Sequence, residues 1–135
     1  MGTLNSQQAT ELADIFSKMG DAIKDHYLAN LDILGPAERN ELSSQMMEMW
    51  AKSSSMYSLS AALVLEDLDD SLQKIREIQS AIGATLKNLA NIQKAIDITG
   101  AAVALAASLL SKDPKVIGTS IEGLTSKIAE VKTNG

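Results

Sequence analysis

Residues 68–110 read LDDSLQKIREIQSAIGATLKNLANIQKAIDITGAAVALAASLL, and the fold is decided by how this stretch is read. Its apolar positions are Leu68, Leu72, Ile75, Ile78, Ile82, Leu86, Leu89, Ile92, Ile96, Val103 and Leu110. Up to Ile96 the steps are threes and fours averaging about 3.5 residues, which places them on one stripe of a helix. A stripe repeating near 3.5 suits a long seam against other helices, as in a bundle or coiled coil. The spacing predicts one helix over about 67–111, the spine of the molecule.

Helices on either side are expected to cover that seam. Asn5 or Ser6 can cap a first helix, whose stripe runs Leu12, Ile15, Phe16, Met19, Ile23, Tyr27, Leu31 and Leu34. Gly35-Pro36 ends it and starts the next, since Gly accepts a left-handed C-terminus and Pro suits the first helical position. The second helix carries Leu42, Met46, Met49, Met56 and Leu63, with Ser53 and Ser60 filling the missing positions. Its break falls at Ser53-Ser54-Ser55 or at the acidic run Glu66-Asp67-Leu68-Asp69-Asp70. The acidic run is the favoured start of the third helix, because carboxylates suit a helix N-terminus. Lys112-Asp113-Pro114 reads as stop and restart. The last stripe is Ile117, Ile121, Leu124, Ile128 and Val131.

The expectation is therefore one all-α domain over 1–135, an elongated antiparallel four-helix bundle with coiled-coil-like packing and helices at about 6–34, 37–64, 67–111 and 114–132. The spine is longer than its neighbours, so it either bends near Gly83 or Gly100 or meets a second protomer as a homodimer. Gln79 and Gln93 flank the seam, where polar groups either fix register or oligomer state or simply form a solvated edge.

Composition narrows the function classes. One Trp, two Tyr and one Phe argue against a sandwich or barrel, and the absence of Cys removes disulfides and thiolate chemistry. A net charge of −5 with no Lys/Arg cluster works against nucleic acid as a partner. Residues 1–10 are polar and lack a signal-peptide core, and no uninterrupted apolar run reaches the roughly 18–20 residues of a membrane span, so a soluble protein is expected, cytoplasmic or exported by a signal-less route.

His26, the single histidine, reads as a surface or boundary residue, since zinc and di-iron sites need further ligands. Glu66, Asp67, Asp69 and Asp70 read as a solvated helix start, with Asp70 placed to pair with Lys74. No nucleotide or nucleophile motif occurs, so no enzyme, cofactor or metal site is expected.

Two groups remain as candidate sites. Met46, Met49, Trp50, Met56 and Tyr57, with Met47 beside them, are either flexible core or a partner-binding face, because Met adapts and Trp and Tyr serve as interface anchors. This face motivates the leading expectation, a non-enzymatic helical interaction or assembly protein whose partner is another protein or itself. The second group lies in residues 98–111, which carry no charge. Gly100, Ala104 and Ser108 recur every four residues beside Val103, Leu105 and Leu109, a pattern that lets helices approach closely. The segment is either a buried core helix or, with the helix after Asp113-Pro114, a hairpin over 98–124 held in the bundle and released into a bilayer. In outline, over roughly the last seventy residues, that arrangement resembles the helical pore-forming toxins of the cytolysin A type. The likeness is one of architecture and implies a membrane-active protein as the alternative.

Overall fold

Asn5 starts the first helix by a reciprocal cap: its Oδ1 accepts from the Gln8 N–H at 2.8 Å while its own N–H donates to Gln8 Oε1 at 2.9 Å. Helix α1 then runs Ser6–Ala29. It stops short of the expected Leu34 because Asn30 turns back, its Nδ2 donating to the His26 carbonyl at 2.8 Å. Such a side chain offers the backbone an alternative to the next helical bond. Leu34 still packs into the core from the turn.

The computed structural model describes residues 2–58, 64–65, 68–88 and 91–134. Pro36 opens α2, Pro36–Ser55, and Glu38 accepts from the Gly35 N–H at 2.9 Å. The helix ends at the serine run and tightens into a 3₁₀ turn at Met56–Ser58, so it is shorter than the expected 37–64. Serine hydroxyls compete for backbone groups, and that is where the helix gives way. Residues Gly2–Thr3 (β1) pair antiparallel with Val64–Leu65 (β2), tying the start of the chain to the segment before the third helix. The seam positions Ser60 and Leu63, and Glu66 and Asp67 of the acidic run, lie outside the described residues, as does Leu89.

The expected spine is two helices. Helix α3 covers Leu68–Asn88 and α4 covers Ile92–Ser111. Asn91 is the reason for the restart: its backbone is extended (φ −81°, ψ 107°) and its Oδ1 accepts from the Lys94 N–H at 3.1 Å. The apolar stripe continues in step across this junction, so periodicity alone could not show the break. Lys112 then adopts a left-handed φ of 64°, and Asp113 Oδ1 accepts from the Lys115 N–H at 3.0 Å. Helix α5 follows as Pro114–Asn134.

Five helices, rather than four, are thus present among the described residues. Helix α1 packs on α2 and α3, α2 on α4, α4 on α5, and α5 back on α3. Helices α3 and α4, adjacent in sequence, are not a packed pair among the described residues. Helix α2 runs antiparallel to α1: Ser53 Oγ donates to the Ala13 carbonyl at 2.6 Å, while Trp50 meets Ser17 further along α1. Helix α3 runs parallel to α1, since Arg76 reaches Glu11 and Leu86 reaches His26. Phe16, Leu12, Met19, Ile23, Leu42, Met49, Leu72, Ile75 and Ile82 are fully buried and belong to one continuous core.

Candidate functional site

The methionine–aromatic group divides once α2 is in place. Leu42, Gln45, Met49, Ser53 and Met56 step by three and four on the inward face of α2 and its closing turn, so Met49 and Met56 lie at 0% exposure in the core. Met46 is half-buried against that core. Trp50 lies over Gly20 of α1, where an added methyl would overlap the indole, and its Nε1–H points at the Ser17 carbonyl (3.3 Å) and Asp21 Oδ1 (3.2 Å). Tyr57 is exposed, but its hydroxyl donates to Asp14 Oδ1 at 3.3 Å. Of the five residues, Met49 and Met56 are thus core, while Trp50 and Tyr57 are bonded to α1. Met47 is the methionine that faces solvent, at 63% exposure.

His26 is also corrected, from a surface residue to a buried one at 3% exposure. Its Nδ1 donates to the Leu86 carbonyl at 3.0 Å, joining the C-terminal ends of α1 and α3. It continues the Phe16, Met19, Ile23 stripe by one more step of three, which is the signal that places it inside. Its Nε2 and the Thr85 hydroxyl are buried with no hydrogen-bond partner among the described residues. Asp70 pairs with Lys74 at 3.0 Å, and Asp69 is exposed. Arg76 grips Glu11 through two bonds, Nη2 to Oε1 at 2.7 Å and Nε to Oε2 at 3.1 Å. The hydrogen bond that Arg76 donates to Glu11 holds the guanidinium above its ordinary range.

The second group maps onto α4. Ile98, Val103, Leu105 and Leu109 point inward and are buried. Gly100, Ala104 and Ser108 do not share one contact. A step of four advances about 40° around a helix of 3.6 residues per turn, so the row drifts across the surface. Gly100 is half-buried beside α2, with Gln45 Nε2 3.2 Å from where a Cβ would stand. Ala104 faces solvent, and Ser108 is buried with its hydroxyl on the Leu105 carbonyl at 2.7 Å.

The polar pair that joins α2 to α4 was not anticipated from the sequence. Gln45, at 7% exposure, accepts from the Thr99 hydroxyl, and its Nε2 donates to Glu41 Oε1 at 3.2 Å and to the Ile96 carbonyl at 3.3 Å. Gln45 sits between Leu42 and Met49 on the inward face of α2, and that position was its signal. Gln93 is exposed and bonds Asp97 at 3.1 Å, while Gln79 is half-buried on α3. On the opposite side of the hairpin, α3 and α5 leave an open groove of about 570 Å³ with Ile78, Ile121 and Ile128 on its floor.

Between Asp97 and Lys112, α4 carries no charge on any side, although Ala104 and Ala107 are exposed and Gly100 and Ala101 half-buried. A surface helix ordinarily places charged or polar residues on its solvent side. By length and composition α4 could cross a membrane, with a mean hydropathy of 1.4 over its best window, of which 44% is buried. Comparison with protein-family models, with characterised proteins and with solved structures yields no match for the chain.

Proposed function

We propose that the protein is a non-enzymatic helical interaction protein whose contact surface is the charge-free outer side of α4. One observation carries the reading: the solvent side of α4, from Gly100 through Ala104 to Ala107, is bare of charge and built from small residues. Burial accounts for an uncharged inner face but not for an uncharged outer one. Small side chains let a second helix approach to close range and gather dispersion contacts along its length. The partner is a helix with an apolar face, from another protein or from a second copy of this chain, and coiled-coil-like packing is the expected manner of contact.

Selection of an amphipathic helical-peptide library against the wild-type protein, with Ala104→Asp as the counter-selection, tests this. Peptides retained by the wild type and lost on the variant support it. A library that returns nothing specific to the wild type, together with a monomer at every protein concentration, would refute it.

A second reading is favoured by the length of α4. It is a membrane-active protein in which the α4–α5 hairpin enters a bilayer: twenty residues rise about 30 Å, the thickness of the hydrocarbon layer.

A further inference from the structure

We infer that the α4–α5 hairpin leaves the bundle as one unit, that the Gln45–Thr99 pair is the latch it parts from, and that the surface receiving it is a zwitterionic lipid bilayer. The inference rests on the membrane-active reading above and adds the moving unit, its release point and the lipid class.

The packing order defines the unit. Helix α4 packs on α5 and α2 and only lightly touches α1, and α5 packs on α4 and α3, whereas α3 and α4 are not a packed pair among the described residues. Two main seams therefore hold the hairpin. The α3/α5 seam already contains the open groove floored by Ile78, Ile121 and Ile128. The α2/α4 seam is fastened by a buried polar pair, Thr99 to Gln45. Water can replace that bond on opening, so the latch costs far less to part than apolar surface of the same size.

The chemistry of α4 suits entry into a bilayer. A polar side chain entering hydrocarbon must bring its own hydrogen-bond partner. Each hydroxyl on α4 from Thr99 onward has one within the helix: Thr99 on the Ile96 carbonyl at 3.1 Å, Ser108 on Leu105 at 2.7 Å and Ser111 on Ser108 at 2.6 Å. When the pair parts, Thr99 keeps the Ile96 carbonyl within α4 and Gln45 keeps Glu41 as its partner on α2. Release would expose Ile98, Leu105 and Leu109 and make the helix apolar all round, a pattern stable only in a core or in lipid. Helix α5 keeps one apolar stripe and an opposite polar face, the form that lies in the headgroup layer. The hairpin over 92–134 carries five lysines against four carboxylates, so it has little electrostatic pull toward an anionic leaflet, and the acidic remainder of the chain is repelled by one, which leaves a zwitterionic surface.

The chain has no cysteine, so thiols can be placed at will. Ala37→Cys with Gln93→Cys puts two thiols on exposed positions that line the same cleft of the α2/α4 seam without touching Gln45 or its partners, joined by a short thiol-reactive reagent that reductant cleaves. Dye release from phosphatidylcholine vesicles is then followed before and after reduction, beside Thr99→Val. Release should fall at least about tenfold in the joined protein, return on reduction, and quicken about fivefold in Thr99→Val. Equal release from joined and reduced protein would overturn the latch and leave the membrane reading standing. No release from the wild type on phosphatidylcholine, or on vesicles with an anionic component, would overturn both. Release from anionic vesicles alone would overturn the lipid class.

Discussion

Gly20→Ala should destabilise the protein, although exposed-helix propensity alone says the opposite. Alanine is favoured over glycine inside a helix by about 1 kcal/mol. At residue 20, however, the new Cβ would overlap the Nε1 and Cδ1 edge of Trp50. The ring is rigid and must swing away from α1, surrendering the hydrogen bond that Nε1 shares between Ser17 and Asp21, worth about 1 kcal/mol. Lifting a half-buried indole off the helix removes a further 1–2 kcal/mol or so of apolar burial. The sum is a net loss of about 1–2 kcal/mol, or roughly a 3–8 °C fall in Tm for a domain of this size. Thermal unfolding by far-UV circular dichroism measures it. In a Trp50→Ala background the overlap is gone, and Gly20→Ala should then stabilise by about 1 kcal/mol. A Gly20→Ala protein that melts higher than wild type would refute the reasoning.

Met49→Ala should cost about 2–4 kcal/mol by equilibrium denaturation, while Met47→Ala stays within about 0.5 kcal/mol, since the first is core and the second faces water. Thr85→Val, which replaces a buried hydroxyl that has no partner among the described residues with a methyl of the same shape, should be neutral or raise stability by up to about 1 kcal/mol in the same assay. Asn91→Ala removes the cap on α4 and should lower stability by about 1 kcal/mol, with amide exchange quickening first around Lys94. Arg76→Met should lower stability slightly at low ionic strength, and the difference from wild type should vanish in high salt, because the Glu11 pair is exposed.

Much of the architecture was legible from residues whose physics is local. Pro36 at the first position of α2 and the left-handed Lys112 ahead of Asp113-Pro114 mark chain turns because each acts on its own backbone, whereas Gly35 is extended at φ −75° rather than left-handed and α1 has already ended at Ala29. The apolar stripes gave the inward faces for the same reason. The reversal between α3 and α4 was hidden because the heptad-like spacing stays in phase through it, and the competing signal is a single Asn cap at 91. Without that reversal α3 and α4 read as one spine, and the second protomer invoked to cover its end has no such end to cover. The Met46–Tyr57 group was ambiguous for a different reason. Met and Trp serve cores and interfaces equally well, and the deciding fact is where α1 lies, which is a tertiary relation. Gln45 shows the same limit: a glutamine among apolar positions is recognisable as inward, but its partner on α4 is fifty-four residues away. The outer side of α4 was legible in composition, as an uncharged run, but which residues of that run meet water depends on α2 and α5.

The measurement that tests the central claim most directly places an environment-sensitive fluorophore on Ala104→Cys, a position that is exposed and therefore tolerant of the label. The emission is recorded against rising protein concentration, against selected helical peptides and against phosphatidylcholine vesicles. A contact surface on the outer side of α4 predicts a shift to apolar surroundings with at least one of these partners, reversed by Ala101→Asp on the same side of the helix. Emission that stays water-like in all three titrations would contradict it, and α4 would then be a core helix with an idle outer face.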